Sequence, residues 1–307
     1  MGADPTAVAQ ASAQFEIDCQ LDYVLDAPCD FIFMVHVAQH AQQRVLDESL
    51  QLTPQTPWRL HVDASGNRVL RLHALAGPLS LAYRATVQRD HAARDFVAPE
   101  MPIDQLPDDV LPHLLPTRYC ESDVLSGAAL KLFGALPSGY QRVQAISDWI
   151  SANIEYRPGS TVATTTSRDV FVQRTGVCRD FAHLGVTFCR ALNVPARLVC
   201  GYVQFEQPPP DFHAVFEAYI GGQWVLFDPS RMAPIDSLIR IATGRDAKDV
   251  AFATIFGPAR MTAMRPDVAP RSPIPLAPPP PPAQQPVRQT VGRLLQNSAA
   301  PSDSMQT

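Results

Sequence analysis

The stretch RTGVCRDFAHLGVTFCRALNVPARLVCGYV, residues 174–203, decides the fold. Val177, Phe181, Leu184, Phe188 and Leu192 recur at spacings of three and four, the period of one helix face, and Asn193 with Pro195 closes the run. The β-rich segment ARLVCGYVQF follows at once. Cys178 therefore falls in the first turn of a buried helix. There the unpaired N–H groups and positive dipole end stabilise a thiolate, the reactive form of cysteine. Gly176 leaves room for a carbonyl to approach the backbone, and the Cys178 N–H is placed to donate one oxyanion-hole hydrogen bond. Position alone does not decide, because free cysteine is among the most buried residue types and most are inert.

A thiol nucleophile needs a base, and the base needs an orienting acceptor. DFHAVFEAYIGGQWVLFDPS, residues 211–230, reads as a hairpin of two β-rich runs joined at Gly221-Gly222, a pair suited to a tight two-residue turn. If Ile220 pairs with Gln223, Asp228 lies opposite Val215, and His213 and Asp228 become diagonal neighbours on one face, within reach of a hydrogen bond. The same register sets Phe216 against Phe227 and Ala218 against Val225 on an apolar opposite face. A three-residue loop would put His213 and Asp228 on opposite faces. Singly, His213 reads as a structural histidine and Asp228, before Pro229, as a turn former. Jointly, a cysteine at a helix start with a His and an Asp on one hairpin face has the order and geometry of a cysteine nucleophile triad.

Outward from this core the chain changes character. Residues 1–14 read as a flexible N-terminus. Residues 15–90 contain short apolar or alternating runs, FEIDCQLDYVL, CDFIFMVHVA, RLHVDASGNRVLRLHAL and LSLAYRATVQ, which predict a small antiparallel sandwich. Residues 91–116, rich in proline, read as a surface linker. The domain with the candidate site is expected over 117–263. It includes a helix at 138–154, with Ser138 and Gln141 as a capping box, and a shorter one started by Ser167 and stopped by Gly176. Residues 264–307 read as a proline-rich disordered tail, inert or a ligand for a proline-reading partner.

The net charge of −5 comes from 30 acidic and 25 basic residues with no long like-charge run, which argues against nucleic acid as a partner. No stretch reads as a secretory signal or approaches the length of a membrane span, so a cytoplasmic location without membrane association is expected. The six cysteines, at 19, 29, 120, 178, 189 and 200, form no CxxC pair. Cys19, Cys29, Cys120, Cys189 and Cys200 are expected in the core. Arg179 and Asp180 are expected to pair and hold the helix start. His183 reads equally as a cleft or a packing residue, Glu217 as a solvated or structural carboxylate and Tyr156 as packing near the cleft. No second ligand at helical spacing supports a metal at His183, and neither metal nor cofactor is expected.

TTTSRDVFVQRTGVCRDFAHLGVTFCRALNVPARLVCGY at 164–202 and HAVFEAYIGGQWVLFDPS at 213–230, with the approach segment NIEYRPGST, closely resemble the bacterial transglutaminase-like superfamily. The resemblance covers about residues 117–260, and the sandwich before it looks like the N-terminal region that often precedes such cores. It implies an α+β, papain-like core, the cysteine helix packed on an antiparallel sheet, with Cys178, His213 and Asp228 as the catalytic residues. Where members commonly read His-Ala-Trp, this chain has His213-Ala214-Val215. The implied activity is acyl transfer through a thioester on a carboxamide or peptide bond of a protein or peptide substrate. Without a calcium-loop pattern, hydrolysis by a cysteine protease or amidase is the favoured form. An amine-accepting transglutaminase and a non-catalytic binding module are the alternatives.

Overall fold

The structure, a computed structural model, describes residues 12–90, 97–205 and 211–271. The expected flexible N-terminus up to residue 11, part of the linker, and the proline-rich segment beyond residue 271 lie outside the described residues.

Strands β1 (Ser12–Leu25), β2 (Cys29–Phe33), β3 (Gln43–Thr53), β4 (Trp58–Val62), β5 (Arg68–Ala74) and β6 (Gly77–Asp90) build the expected sandwich. Period-two alternation sends Phe15, Ile17, Leu21 and Tyr23 of β1 and Leu79, Leu81 and Tyr83 of β6 inward. They meet Phe31 and Phe33 of β2, whose rings lie 5.4 and 5.8 Å from that of Tyr23. Each such fully buried apolar side chain stabilises the fold by about 1.5–3 kcal/mol.

The second half carries α1 (Ser126–Phe133), α2 (Tyr140–Asn153), β7 (Glu155–Tyr156), α3 (Ser167–Gln173), β8 (Thr175–Gly176), α4 (Cys178–Ala191), β9 (Ala196–Tyr202), β10 (His213–Ile220), β11 (Gln223–Phe227) and β12 (Ile239–Gly244). An antiparallel sheet in the order β11-β10-β9-β12 supports α4. Gly185 lets the helix lie on β10, since a Cβ there would meet the Phe216 ring at 2.5 Å. On the helix's other side Phe188 is enclosed by Phe133 of α1, Trp149 of α2 and Phe171 of α3, at centroid distances of 5.4, 5.7 and 5.8 Å. This is the expected α+β arrangement, a cysteine helix clamped between an antiparallel sheet and a layer of helices.

Three expectations are corrected. The capping box at Ser138 does not form; Gly139, at φ 101°, precedes α2. Tertiary contacts replace the cap, the Gly139 N–H bonding to Glu100 Oε1 and the Tyr140 N–H to the Ala98 carbonyl. Helix α3 starts from Thr166, whose N–H is accepted by Asp169, and ends at Arg174 in the left-handed conformation, before Gly176. The boundary at residue 264 also fails: β13 (Ala253–Phe256) and β14 (Ala259–Pro270) return to the sandwich, β13 pairing with β2 and β14 with β1. The sheets of the sandwich are therefore β14-β1-β6-β3 and β13-β2-β5-β4, and the region expected as tail is strand up to Pro270. Pro266 and Pro270 are tolerated because β14 lies at a sheet edge, where a missing N–H interrupts no ladder.

Candidate active site

Parallel pairing of β7 with β8 sets Tyr156 beside Gly176, two residues before the thiol. Gly176 is required for packing, because a Cβ there would meet the Asp180 side chain at 2.9 Å. Val177 then precedes α4 in an extended conformation, and Asp180 accepts its N–H at 3.0 Å. Valine has no side-chain acceptor to return, so this is half of a capping box. Asp180 also accepts the Thr161 hydroxyl at 2.7 Å and pairs with Arg179 at 2.8 Å, while Arg179 donates to the Val162 carbonyl at 3.1 Å. The expected pairing of Arg179 and Asp180 thus holds, and it ties the 157–166 loop to the helix start. Cys178 is half-buried, whereas Cys19, Cys29, Cys120, Cys189 and Cys200 are buried.

The hairpin adopts the expected register. Ile220 pairs with Gln223, Ala218 with Val225 and Phe216 with Phe227, through Gly221 and Gly222 at φ 59° and 79°. The Phe216 and Phe227 rings stack at 5.4 Å. Across β9, His213 faces Gly201, where a Cβ would strike the Ile239 carbonyl oxygen of β12 at 2.6 Å. Glycine there lets β12 close on β9 behind the histidine.

His213 Nε2 and Asp228 Oδ2 lie 2.8 Å apart, and both side chains are buried. An ionised carboxylate only accepts, so Nε2 carries the proton. The other nitrogen, Nδ1, is buried with no hydrogen-bond partner among the described residues. Burial works to lower the imidazole pKa, but the hydrogen bond to Asp228 and the nearby Cys178 thiol outweigh it and push it up to about 10. At Asp228 burial is likewise outweighed, by His213 and Ser230, and its pKa is held below the usual carboxylate range. The Phe205 ring stands edge-on to His213 at 5.4 Å. Val215, where the resembled family commonly has tryptophan, is buried among Val199, Val203 and Leu238 with Phe205 beside them.

The remaining residues sort out by burial. His183 packs: it is buried, stacks on Tyr119 at 5.2 Å, and Nε2 accepts the Ala247 N–H at 3.1 Å. Glu217 is structural, buried between Arg197 and Arg240. Tyr156 packs at the cleft, beside Cys178. Its ring lies 5.9 Å from Phe181, and its hydroxyl sits against the thiol and backbone N–H of Cys178. Burial, with the charges at Cys178 and Asp211, raises its pKa. Asp211 and Ser230 went unread in the sequence. Asp211 is exposed and its charge reaches His213; the Asp-Pro-Ser turn was the available signal for Ser230.

Comparison with known proteins identifies the family of this fold. The model of the transglutaminase-like superfamily core matches residues 128–229, a span holding Cys178, His213 and Asp228. That of the bacterial transglutaminase N-terminal domain matches residues 13–109. The crystal structure of a candidate cysteine protease from Cytophaga hutchinsonii is 44% identical, with a TM-score of 0.82 over 85% of this chain and 92% of that one. The chain belongs to the transglutaminase-like superfamily. Two mycobacterial proteins, both uncharacterized, are similar over shorter lengths. One from Mycobacterium leprae (strain TN) is 32% identical over 149 residues, 45% of this chain and 52% of that protein. One from Mycobacterium tuberculosis (strain ATCC 25618 / H37Rv) is 32% identical over 115 residues, 33% and 37% of the two chains. The chain spans about half or less of the length of these curated relatives. Among the described residues, no helix is long and apolar enough to cross a membrane.

Proposed function

We propose that the protein carries out thiol-dependent acyl transfer on a carboxamide or peptide bond, with hydrolysis as the outcome. The observation that carries this reading is the pairing of His213 Nε2 with Asp228 at 2.8 Å, which leaves Nδ1 without a hydrogen-bond partner among the described residues, while the half-buried Cys178 is near enough to act on the imidazole. The Cys178 sulfur attacks the carbonyl carbon, and His213 holds the thiol proton at Nδ1. His213 then delivers that proton to the leaving nitrogen as the carbon–nitrogen bond breaks, giving a thioester and a free amine. Water, deprotonated by Nδ1, attacks the thioester; a carboxylic acid leaves and the thiol is restored. Asp228 fixes the tautomer throughout. The Cys178 N–H is available to the oxyanion, with the Tyr156 hydroxyl beside it.

Hydrolysis is favoured over transfer to an amine by the likeness to the Cytophaga hutchinsonii candidate cysteine protease. The test is hydroxylamine trapping of the acyl-enzyme over a panel of glutaminyl and peptide substrates. A Cys178-dependent hydroxamate and free acid are expected. Formation of amine adducts in place of acid would assign transamidation, and activity undiminished in His213→Ala would remove the triad.

A further inference from the structure

The turn after β11 holds Asp228 by more than its histidine. Asp228 Oδ1 accepts both the Ser230 hydroxyl, at 2.6 Å, and the Ser230 backbone N–H, at 2.9 Å, while Oδ2 alone meets His213 Nε2 at 2.8 Å. The two carboxylate oxygens thus have separate duties, and rotation about the terminal bond of Asp228 is blocked from both ends. An aspartate bonding the N–H two residues on is an Asx turn, a local arrangement available to any Asp-X-Ser sequence. The hydroxyl is the part that turn does not require. It is also the shorter contact, as expected of a donor to a charged oxygen.

We propose that Ser230 is a positioning residue of the triad: its hydroxyl fixes the Asp228 carboxylate so that Oδ2 is presented to His213 and the base nitrogen Nδ1 to Cys178. The inference rests on the acyl-transfer reading for its purpose but not for its measurement. Removing the hydroxyl leaves Oδ1 with the backbone N–H only. The carboxylate then holds the imidazolium less strongly, and the proton leaves His213 at lower pH. Among the described residues, the charged and titratable groups that reach His213 are Asp228 after β11, Cys178 on α4 and Asp211 on the approach to β10; Ser230 acts on the first of these alone.

The test compares Ser230→Thr with Ser230→Val in the full chain, a pair of equal shape that differs by the hydroxyl, so that any cost of the added methyl cancels. The His213 imidazole is followed by NMR through pH, and the rate of Cys178 alkylation by iodoacetamide is measured on the same samples. In Ser230→Thr the His213 titration stays at the wild-type position. In Ser230→Val it moves to lower pH by about one unit, and alkylation near neutral pH slows by about tenfold, the loss of one charge-assisted hydrogen bond. Identical titrations for the two variants would overturn the assignment, as would equal loss of alkylation in both. The triad reading fails separately, in wild-type protein, if Cys178 is no more reactive than in His213→Ala.

Discussion

Gln43 holds the backbone of Arg240 as a neighbouring strand would: Oε1 accepts the Arg240 N–H at 2.9 Å, and Nε2 donates to the Arg240 carbonyl at 2.8 Å. Asn67 repeats the arrangement at Thr243, accepting its N–H at 2.8 Å and donating to its carbonyl at 2.9 Å. Two side-chain amides of the sandwich thus close the outer edge of β12. The Arg240 carbonyl has a second donor in the Ala38 N–H, but the Arg240 N–H depends on Gln43. Gln43→Leu, similar in shape without the amide, is expected to destabilise by about 1–3 kcal/mol, the cost of one orphaned buried donor. Urea unfolding checks this; an unchanged midpoint would mean that water reaches that edge.

Glu217 is buried between two guanidinium groups, accepting from Arg197 at 2.8 Å and from Arg240. Burial works to raise its pKa, but the two arginines outweigh it and hold the carboxyl down to about 2. A depressed folded-state pKa means that this contribution is fully present above the ordinary glutamate range and is lost as pH falls towards 2. Glu217→Ala, which strands buried Arg240 and half-buried Arg197, is expected to cost about 3–5 kcal/mol near neutral pH. Melting of wild type and Glu217→Gln from pH 6 downward should converge; parallel curves would contradict the assignment.

The His213–Asp228 pair has its own pH window. His213 is raised to about 10, so its contribution is complete below the ordinary histidine value and is lost as pH rises through the folded-state value. Asp228 is lowered, so its contribution is present above the ordinary aspartate value and is lost as pH falls. The stability lost in Asp228→Asn should therefore peak between about pH 4 and pH 6.5 and shrink on both sides. Chemical denaturation at a series of pH values reads this out, and a loss that grows steadily up to pH 10 would have the wrong sign.

Of the six thiols, Cys178 alone is not fully buried. Brief treatment with iodoacetamide near neutral pH should modify Cys178 and spare the rest, with the other five reacting only after denaturant is added. Peptide mapping by mass spectrometry decides it, and comparable early labelling of Cys200, in the adjoining strand β9, would show that the core opens under native conditions.

The site was more legible than the boundaries around it. The helix period fixed Cys178 at a helix start, and a two-residue glycine turn fixed the register that brings His213 to Asp228, because both signals are local. The cap of α2 was misread for the opposite reason. Gly139 is held by Glu100 and Ala98, from a segment that reads as a linker, and no local pattern announces that contact. Strand β14 was hidden by its own composition, since Pro266 and Pro270 signal a tail until the strand is known to be an edge. Glu217 read as a solvated or structural carboxylate because Arg197 and Arg240 come from two different strands, which converge only in the folded sheet.

The return of β13 and β14 has a consequence for synthesis. Strands β1 and β2 are made long before β13 and β14, so each lacks one of its two neighbours until residues 253–270 are made. For most of translation the sandwich is an incomplete shell with two open edges, the kind of surface that recruits foreign strands. The thiol-bearing half is in effect an insert between the sandwich's first six strands and its last two. Its own folding, which brings residues 243 and 253 back beside Asn67 and Phe33, is what delivers the closing strands to those edges.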